Sequence, residues 1–298
     1  MFISNIFKQI KFWFERFVIV VCASDMKELK NIHQGETCYI FGGGMSIKEM
    51  DMTKFSEYPA IATNMFVLHK DFSSLDIRYV TIVEPWYFAP EKLKPTYARR
   101  LREVVGLYKK IIKNHPSITF IVSLSNKLFF NNQNLRYVFR GYPNPSDDDR
   151  ALMKFDLFNG AFRASISLAS YLGFKRIILV GFDGFTIQPP MKGTFYEFGA
   201  GRHFNANNFE ESFLDIIKRK SDVYTIGING KSSTCKYIEY SQYTEVDPVY
   251  KENSDLIDRV ELDIITKGYQ GYYESANLYY TRAKQAFLQK LIDFFTSA

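Results

Sequence analysis

The sequence predicts an α/β fold: a mostly parallel sheet with helices on both faces, plus a lid and a C-terminal helical appendage. Three observations carry this. Short apolar runs alternate with helical stretches along most of the chain, the pattern of strand–helix units around a parallel sheet. The run Arg176–Val180 is apolar almost throughout, as expected of a central strand covered on both faces. Glycine, asparagine and acidic residues recur where such runs end, at Gly42–Gly44, Asn64, Glu84 and Asp183, which puts these residues on one rim of the sheet.

Composition limits the partners. With 298 residues and 46% apolar side chains, the chain can bury a substantial core and is globular rather than disordered. It is long enough for one large domain, or one domain with an appendage. The 28 Phe and 20 Tyr exceed ordinary usage; most belong in the core, and the surplus suits carbohydrate stacking or a membrane interface. A net charge of +6 permits an anionic partner. The basic residues do not gather into one stripe and no nucleic-acid-binding module is visible, so nucleic acid is not an expected partner. Cys22, Cys38 and Cys235 are far apart and odd in number, which gives neither a disulfide framework nor a zinc spacing and suits a reducing cytoplasm.

Residues 2–23 are strongly apolar but include Lys8, Lys11, Glu15 and Arg16, spaced to share one side of a helix. These charges argue against a spanning helix, and the order of charge and apolar run is not that of a signal peptide. A helix lying in a membrane surface fits, with Trp13 and its apolar neighbours at the acyl boundary; so does a helix packed on its own domain or on a partner subunit. Residues 24–35 read as a polar linker, which closes an N-terminal unit of 1–34.

The main domain, 35–246, begins with a strand at Thr37–Phe41. Gly42-Gly43-Gly44 follows, then Ser46-Ile47-Lys48-Glu49 with the spacing of a capping box. Glycines between a strand and a helix N-terminus let a phosphate approach the backbone; a turn without a ligand has the same signature. It is neither the P-loop nor the complete dinucleotide fingerprint. Strands are expected at Ala60–Thr63, Arg78–Val83 and Ile118–Val122, with a basic helix over 91–114 stopped by His115-Pro116. Residues 125–155 look irregular. Asp147, Asp148 and Asp149 within them form an exposed acidic turn or, with no second carboxylate motif in support, a metal site.

A helix rich in Ala and Ser runs from about Gly160 to Tyr171, close against the sheet. The strand Arg176–Val180 ends in Gly181-Phe182-Asp183; an acidic residue there faces the crevice of an open α/β sheet. The long aromatic loop 184–206 reads as a lid. A helix over 207–219 and a strand at Val223–Ile226 follow, and 247–298 form the helical appendage.

Of four histidines, His33, His69 and His115 sit in structural contexts. His203 lies in the lid between Arg202 and Phe204 and is the best candidate for a general base, because imidazole titrates near neutral pH. No nucleophile elbow is present, and no Asp-x-Asp pair ends a strand.

Taken together, Gly42-Gly-Gly-Met-Ser-Ile-Lys-Glu-Met-Asp51, Thr63-Asn64, the helix opened by Asn159-Gly160, Arg176-Ile-Ile-Leu-Val-Gly-Phe-Asp183 and the late His203 resemble the bacterial sialyltransferases of glycosyltransferase family 42 over about residues 36–235. The resemblance implies a single Rossmann-like domain. It implies transfer of an acidic sugar from a CMP-activated donor to an oligosaccharide or glycolipid acceptor, with inversion and without a metal or other cofactor. It further implies that Gly42, Gly44, Ser46, Asn64, Asn159 and Gly160 line the nucleotide site, with Gly43 counted beside them, that His203 deprotonates the acceptor hydroxyl, and that Tyr196 hydrogen-bonds the departing phosphate. Glu84, Asp183 and Arg202 are counted with the donor site. The chain departs from the family pattern at Gly43, Met45, Glu84 and Phe185, where the family has Asn, Pro, Asn and Tyr. A carboxylate at 84 repels a sugar carboxylate unless Arg202 or Lys192 pairs with it, so sialic acid, Kdo, legionaminic and pseudaminic acid are all open as donors. The implied setting is cytoplasmic, peripheral at the inner face of the cell membrane, with homo-oligomerisation left open. An ATP- and magnesium-dependent pyrophosphokinase-like enzyme and a non-catalytic nucleotide-binding subunit are the alternatives.

Overall fold

A computed structural model describes residues 24–82, 84, 87–90, 101–138, 160–186, 193–196 and 214–270. The helix expected over 2–23, the acidic turn at 147–149, and Asn159, Lys192, Arg202 and His203 lie outside these residues.

Eight strands form one sheet: β1 Thr37–Phe41, β2 Ala60–Thr63, β3 Ile77–Ile82, β4 Thr119–Ser123, β5 Leu135–Val138, β6 Arg176–Val180, β7 Asp222–Gly227 and β8 Lys236–Glu239. Their order is β5-β4-β3-β2-β1-β6-β7-β8, and every neighbouring pair is parallel. The chain therefore steps outward from β1 to β5, returns to the other side of β1 at β6, and steps outward again. The strand order reverses between β1 and β6, and a crevice opens at the carboxyl ends of such a pair.

The central strands are buried on both faces, as their continuous apolar runs require. In β1, Tyr39 and Phe41 enter one core, and Cys38 and Ile40 enter the other, because successive side chains of a strand point to opposite faces. Helix α1 (Arg102–Asn114) covers the first core with Val104, Val105, Tyr108, Ile111 and Ile112, a stripe at helical spacing. Helix α2 (Ala161–Leu172) covers the second. Its small residues let it lie close to the sheet, and the Ser165 and Thr81 hydroxyls meet at 2.8 Å. Gly173, at φ 94°, ends it in the left-handed region, with its N–H returning to the carbonyls of Ala169 and Ser170.

Strands β5 and β8 were not expected. Both are edge strands of four residues. β8, Lys-Tyr-Ile-Glu, is half-covered at best, so neither strand carries the apolar run by which a doubly covered strand is recognised. β5 also corrects the irregular reading of 125–155 over its own four residues.

Residues expected as linker and appendage pack on the same sheet. His33 is buried, stacked on Phe174 at 4.5 Å. Its Nδ1 meets Glu36 and its Nε2 meets the Tyr79 hydroxyl, each at 3.0 Å. Near the other end, Leu256, Ile257, Leu262 and Ile265 join the core that α1 covers, and Ile257 bridges His69 in antiparallel sense. No helix among the described residues is long and apolar enough to cross a membrane.

Candidate functional site

The loops that leave β1 and β6 are packed backbone to backbone at the point of strand reversal. Gly42 N–H donates to the Val180 carbonyl and Gly44 N–H to the Gly181 carbonyl, each at 2.8 Å. A Cβ on Gly42 would press on the Gly181 carbonyl oxygen and lie 3.0 Å from its carbon. On Gly44 it would meet the Asp183 carboxyl carbon at 2.6 Å. Gly42 and Gly44 are thus required by the approach of the two loops, whatever else binds there.

The capping box expected at Ser46 is absent. Met45–Glu49 is a five-residue 3-10 turn with Gly44 as its N-cap and no side-chain cap. Ser46 turns instead to Asp183: its N–H donates to Oδ2 at 3.0 Å and its hydroxyl donates to Oδ1. Asp183 is 5% exposed. Burial pushes its carboxyl up, while the hydrogen bonds from Ser46 and the Met45 backbone pull it back. A buried carboxylate is a stronger acceptor than any group a short turn offers, which explains why Ser46 faces it. Asp183, expected to face the crevice, lies against the glycine loop and holds it.

A four-residue piece of the expected lid is stitched to the other side of the loop. Thr194 bridges Gly44 in antiparallel sense, and Phe195 N–H donates to the Gly43 carbonyl at 3.0 Å. Phe195 is fully buried, edge-on to Phe66 at 6.2 Å. Tyr196 stands beside Gly43, where a Cβ would lie 3.2 Å from the ring, and packs near Tyr269 at 6.0 Å. Gly42, Gly43, Gly44, Ser46, Asp183 and Tyr196 are therefore contiguous.

Asn64 follows β2, one strand over, at φ 45°. Asparagine tolerates this left-handed conformation better than most residues. Its Oδ1 is buried and has no hydrogen-bond partner among the described residues. Gly160 is the N-cap of α2 at φ 106°. The first turn of α2 lies by the loop after β6, with Phe162 5.4 Å from Phe182 and 4.6 Å from Phe185. Phe185, where the resemblance places a tyrosine, is thus a packing residue.

Glu84 sits beyond β3, its carbonyl accepting from Asn126 Nδ2 at 3.1 Å. It is close to a group of tyrosines the sequence did not single out. Burial above all raises the phenols of Tyr108 and Tyr269, and Tyr87, Tyr196 and Glu84 raise them further. These rings come from four separated stretches of chain; the high tyrosine content was their only signal. No group of three His, Cys, Asp or Glu among the described residues is disposed to hold a metal ion.

His69 anchors the same region. It is 3% exposed, its Nδ1 accepts from Asp71 N–H at 3.1 Å, and its ring lies 5.6 Å from Phe195. Burial, then Lys251 and Lys70, lowers its pKa to about 4. The unfolded value is near 6.5, so the imidazole is neutral in the fold. Its contribution is complete above about pH 6.5 and is lost as the pH falls toward 4, by about 3 kcal/mol at most. Denaturant unfolding at pH 7 and pH 4.5 should show a smaller loss of stability in His69→Asn, which keeps an acceptor for Asp71 N–H.

No protein-family model matches the chain, and no curated protein matches it. Among solved structures, it is similar to the sialyltransferase CstII from Campylobacter jejuni in complex with cytidine-5'-monophosphate, at 13% identity and a TM-score of 0.41, over 79% of this chain and 99% of that one. The monofunctional alpha-2,3-sialyltransferase Cst-I from Campylobacter jejuni aligns at 15% identity and a TM-score of 0.39, over 75% of this chain and 88% of that one. The MAf glycosyltransferase from Magnetospirillum magneticum AMB-1 aligns at 11% identity and a TM-score of 0.42; 83% of this chain is covered, but only 38% of that longer one.

Proposed function

We propose that the protein is a glycosyltransferase that moves an acidic sugar of the sialic acid, Kdo or related nonulosonic type from a CMP-activated donor to a hydroxyl of a cell-surface oligosaccharide or glycolipid. The observation that supports this most is the site at the strand reversal. A glycine loop without side chains is flanked there by Tyr196 and lies one strand from the unpartnered Oδ1 of Asn64. The N–H groups of Gly42 and Gly44 are taken by the carbonyls of Val180 and Gly181, so in this reading a phosphate meets the loop at Gly43. An amino or hydroxyl group of cytidine supplies the donor that Asn64 lacks among the described residues.

In this reading His203 takes the proton of the acceptor hydroxyl. The oxygen attacks the anomeric carbon as the bond to the CMP phosphate breaks, and direct displacement inverts that centre. Tyr196 donates to the departing phosphate and Arg202 offsets its charge. No metal takes part, and residues 2–23 keep the enzyme at the inner face of the membrane. The pyrophosphokinase-like reading needs Asp183 and Glu84 as metal ligands. It is less favoured because both Asp183 oxygens accept from Ser46.

A thermal-shift panel of CMP, CDP, UDP, GDP and ATP, each with and without magnesium, tests the proposal. Ligand at 100 times its Kd stabilises the folded state by about 2.7 kcal/mol. CMP should raise the melting temperature equally with and without magnesium. Stabilisation confined to ATP with magnesium overturns the proposal in favour of the kinase-like reading.

A further inference from the structure

The turn after the glycine loop is held from two sides. Asp183 holds one side through Ser46. The other is held by a segment some two hundred residues away in sequence. Lys251 N–H donates to the Lys48 carbonyl at 2.8 Å and Val249 N–H to the Glu49 carbonyl at 3.0 Å. The Lys251 ammonium reaches the Met50 carbonyl at 3.0 Å, and the Tyr240 hydroxyl accepts from Asp51 N–H at 2.8 Å.

Lys48 is the unusual member of this joint. It is 4% exposed, and no carboxylate pairs with it among the described residues. Its ammonium donates to Asn253 Oδ1 and to the Tyr250 hydroxyl, the latter at 3.3 Å, and stands 5.4 Å from the centre of the Tyr250 ring. A buried ammonium costs several kcal/mol unless its hydrogen bonds are well made. An apolar side chain would fill the same space without that cost. The charge is tolerated only while Asn253 and Tyr250 stay in place, so it ties the 45–49 turn to the 250–253 segment in one geometry.

We infer that Lys48 is a positioning residue. Through Asn253 and Tyr250 it sets the turn that carries Ser46, and with it the backbone of Gly43, where the donor phosphate meets the loop in the function proposed above. The segment 249–253 is then a structural part of the donor site. The phosphate rests on the function proposed above; the positioning of the loop does not.

Amide hydrogen exchange on the full-length protein tests this in the wild type, Lys48→Met and Asn253→Asp, with CMP titrated into each. Loss of a hydrogen bond to a charged group corresponds to roughly a tenfold change or more in an equilibrium. Lys48→Met should speed exchange at Gly44, Ser46 and Ile47 by about that factor and weaken CMP binding about tenfold, with β1 and β6 protected as before. Asn253→Asp sets a carboxylate against the ammonium and should slow the same amides while keeping CMP affinity. Unchanged exchange at these amides in Lys48→Met overturns the inference, and so does loss of protection spread across β1 and β6, since Lys48 would then hold the fold at large. If Lys48→Met does not fold, Asn253→Asp decides: no slowing overturns the inference. A wild type that binds no cytidine nucleotide, while its loop amides respond as expected, sinks the nucleotide reading and leaves Lys48 as a positioning residue.

Discussion

Gly42→Ala is expected to destabilise the protein by more than about 3 kcal/mol, at the upper end of what an added methyl does in a packed interior. The reason is what the methyl meets. On Gly42 it presses on the carbonyl of Gly181 and on the Phe182 ring. A backbone carbonyl cannot swing aside as a flexible side chain does. Gly181 is itself at φ 73°, where another residue would be strained. Relief requires β1 and β6 to part at their carboxyl ends, which breaks the Gly42–Val180 and Gly44–Gly181 hydrogen bonds, both 2.8 Å. Nucleotide affinity should fall with stability. Gly106→Ala is the matched control: Gly106 lies inside α1 with open space around it. That substitution should stabilise by about 0.5–1 kcal/mol through helix propensity and the unfolded chain. Denaturant melts of the three proteins check both. A Gly42→Ala protein as stable as the wild type would mean that the two loops do not meet as described.

His203→Ala is expected to lower kcat by a factor of about 10²–10⁴, the usual worth of a general base, and to leave CMP affinity within about twofold. An acceptor hydroxyl is a poor nucleophile while it keeps its proton, and imidazole is the one side chain whose ordinary pKa suits removing it near neutral pH. In the proposed reaction the base acts on the acceptor rather than the nucleotide, so binding and turnover should separate. Sugar transfer from CMP-sialic acid and CMP-Kdo, with calorimetry of CMP, measures both. Equal loss of binding and turnover would assign His203 to the donor site. Unchanged turnover would remove it from the chemistry.

Much of this arrangement is legible in the residues. Apolar runs at Thr37–Phe41, Ala60–Thr63 and Arg176–Val180 mark strands at those same bounds, because strands covered on both faces are mostly apolar. The glycines after β1 and Asn64 after β2 mark where strands end, but what the glycine loop packs against was decided by β6. The edge strands β5 and β8 are not legible, since four residues interrupted by Arg136 in β5, or only half-covered in β8, leave a weak pattern.

What Ser46 and Asp183 do to each other, and Lys48 to Asn253, was decided by tertiary structure alone. Ser46 with Glu49 has the spacing of a local cap, but the fold brings a buried carboxylate from 137 residues away in sequence, and that acceptor wins. Nothing near Lys48 in sequence marks it as buried; the chain returns 205 residues later to cover it. Local sequence sets the preferences of a backbone within a few residues, and these survive folding where nothing stronger competes. A buried charge has no such local preference. Its partners are whatever the packed sheet places within reach, because leaving it unpaired in a medium of low polarity costs more than any turn or cap contributes.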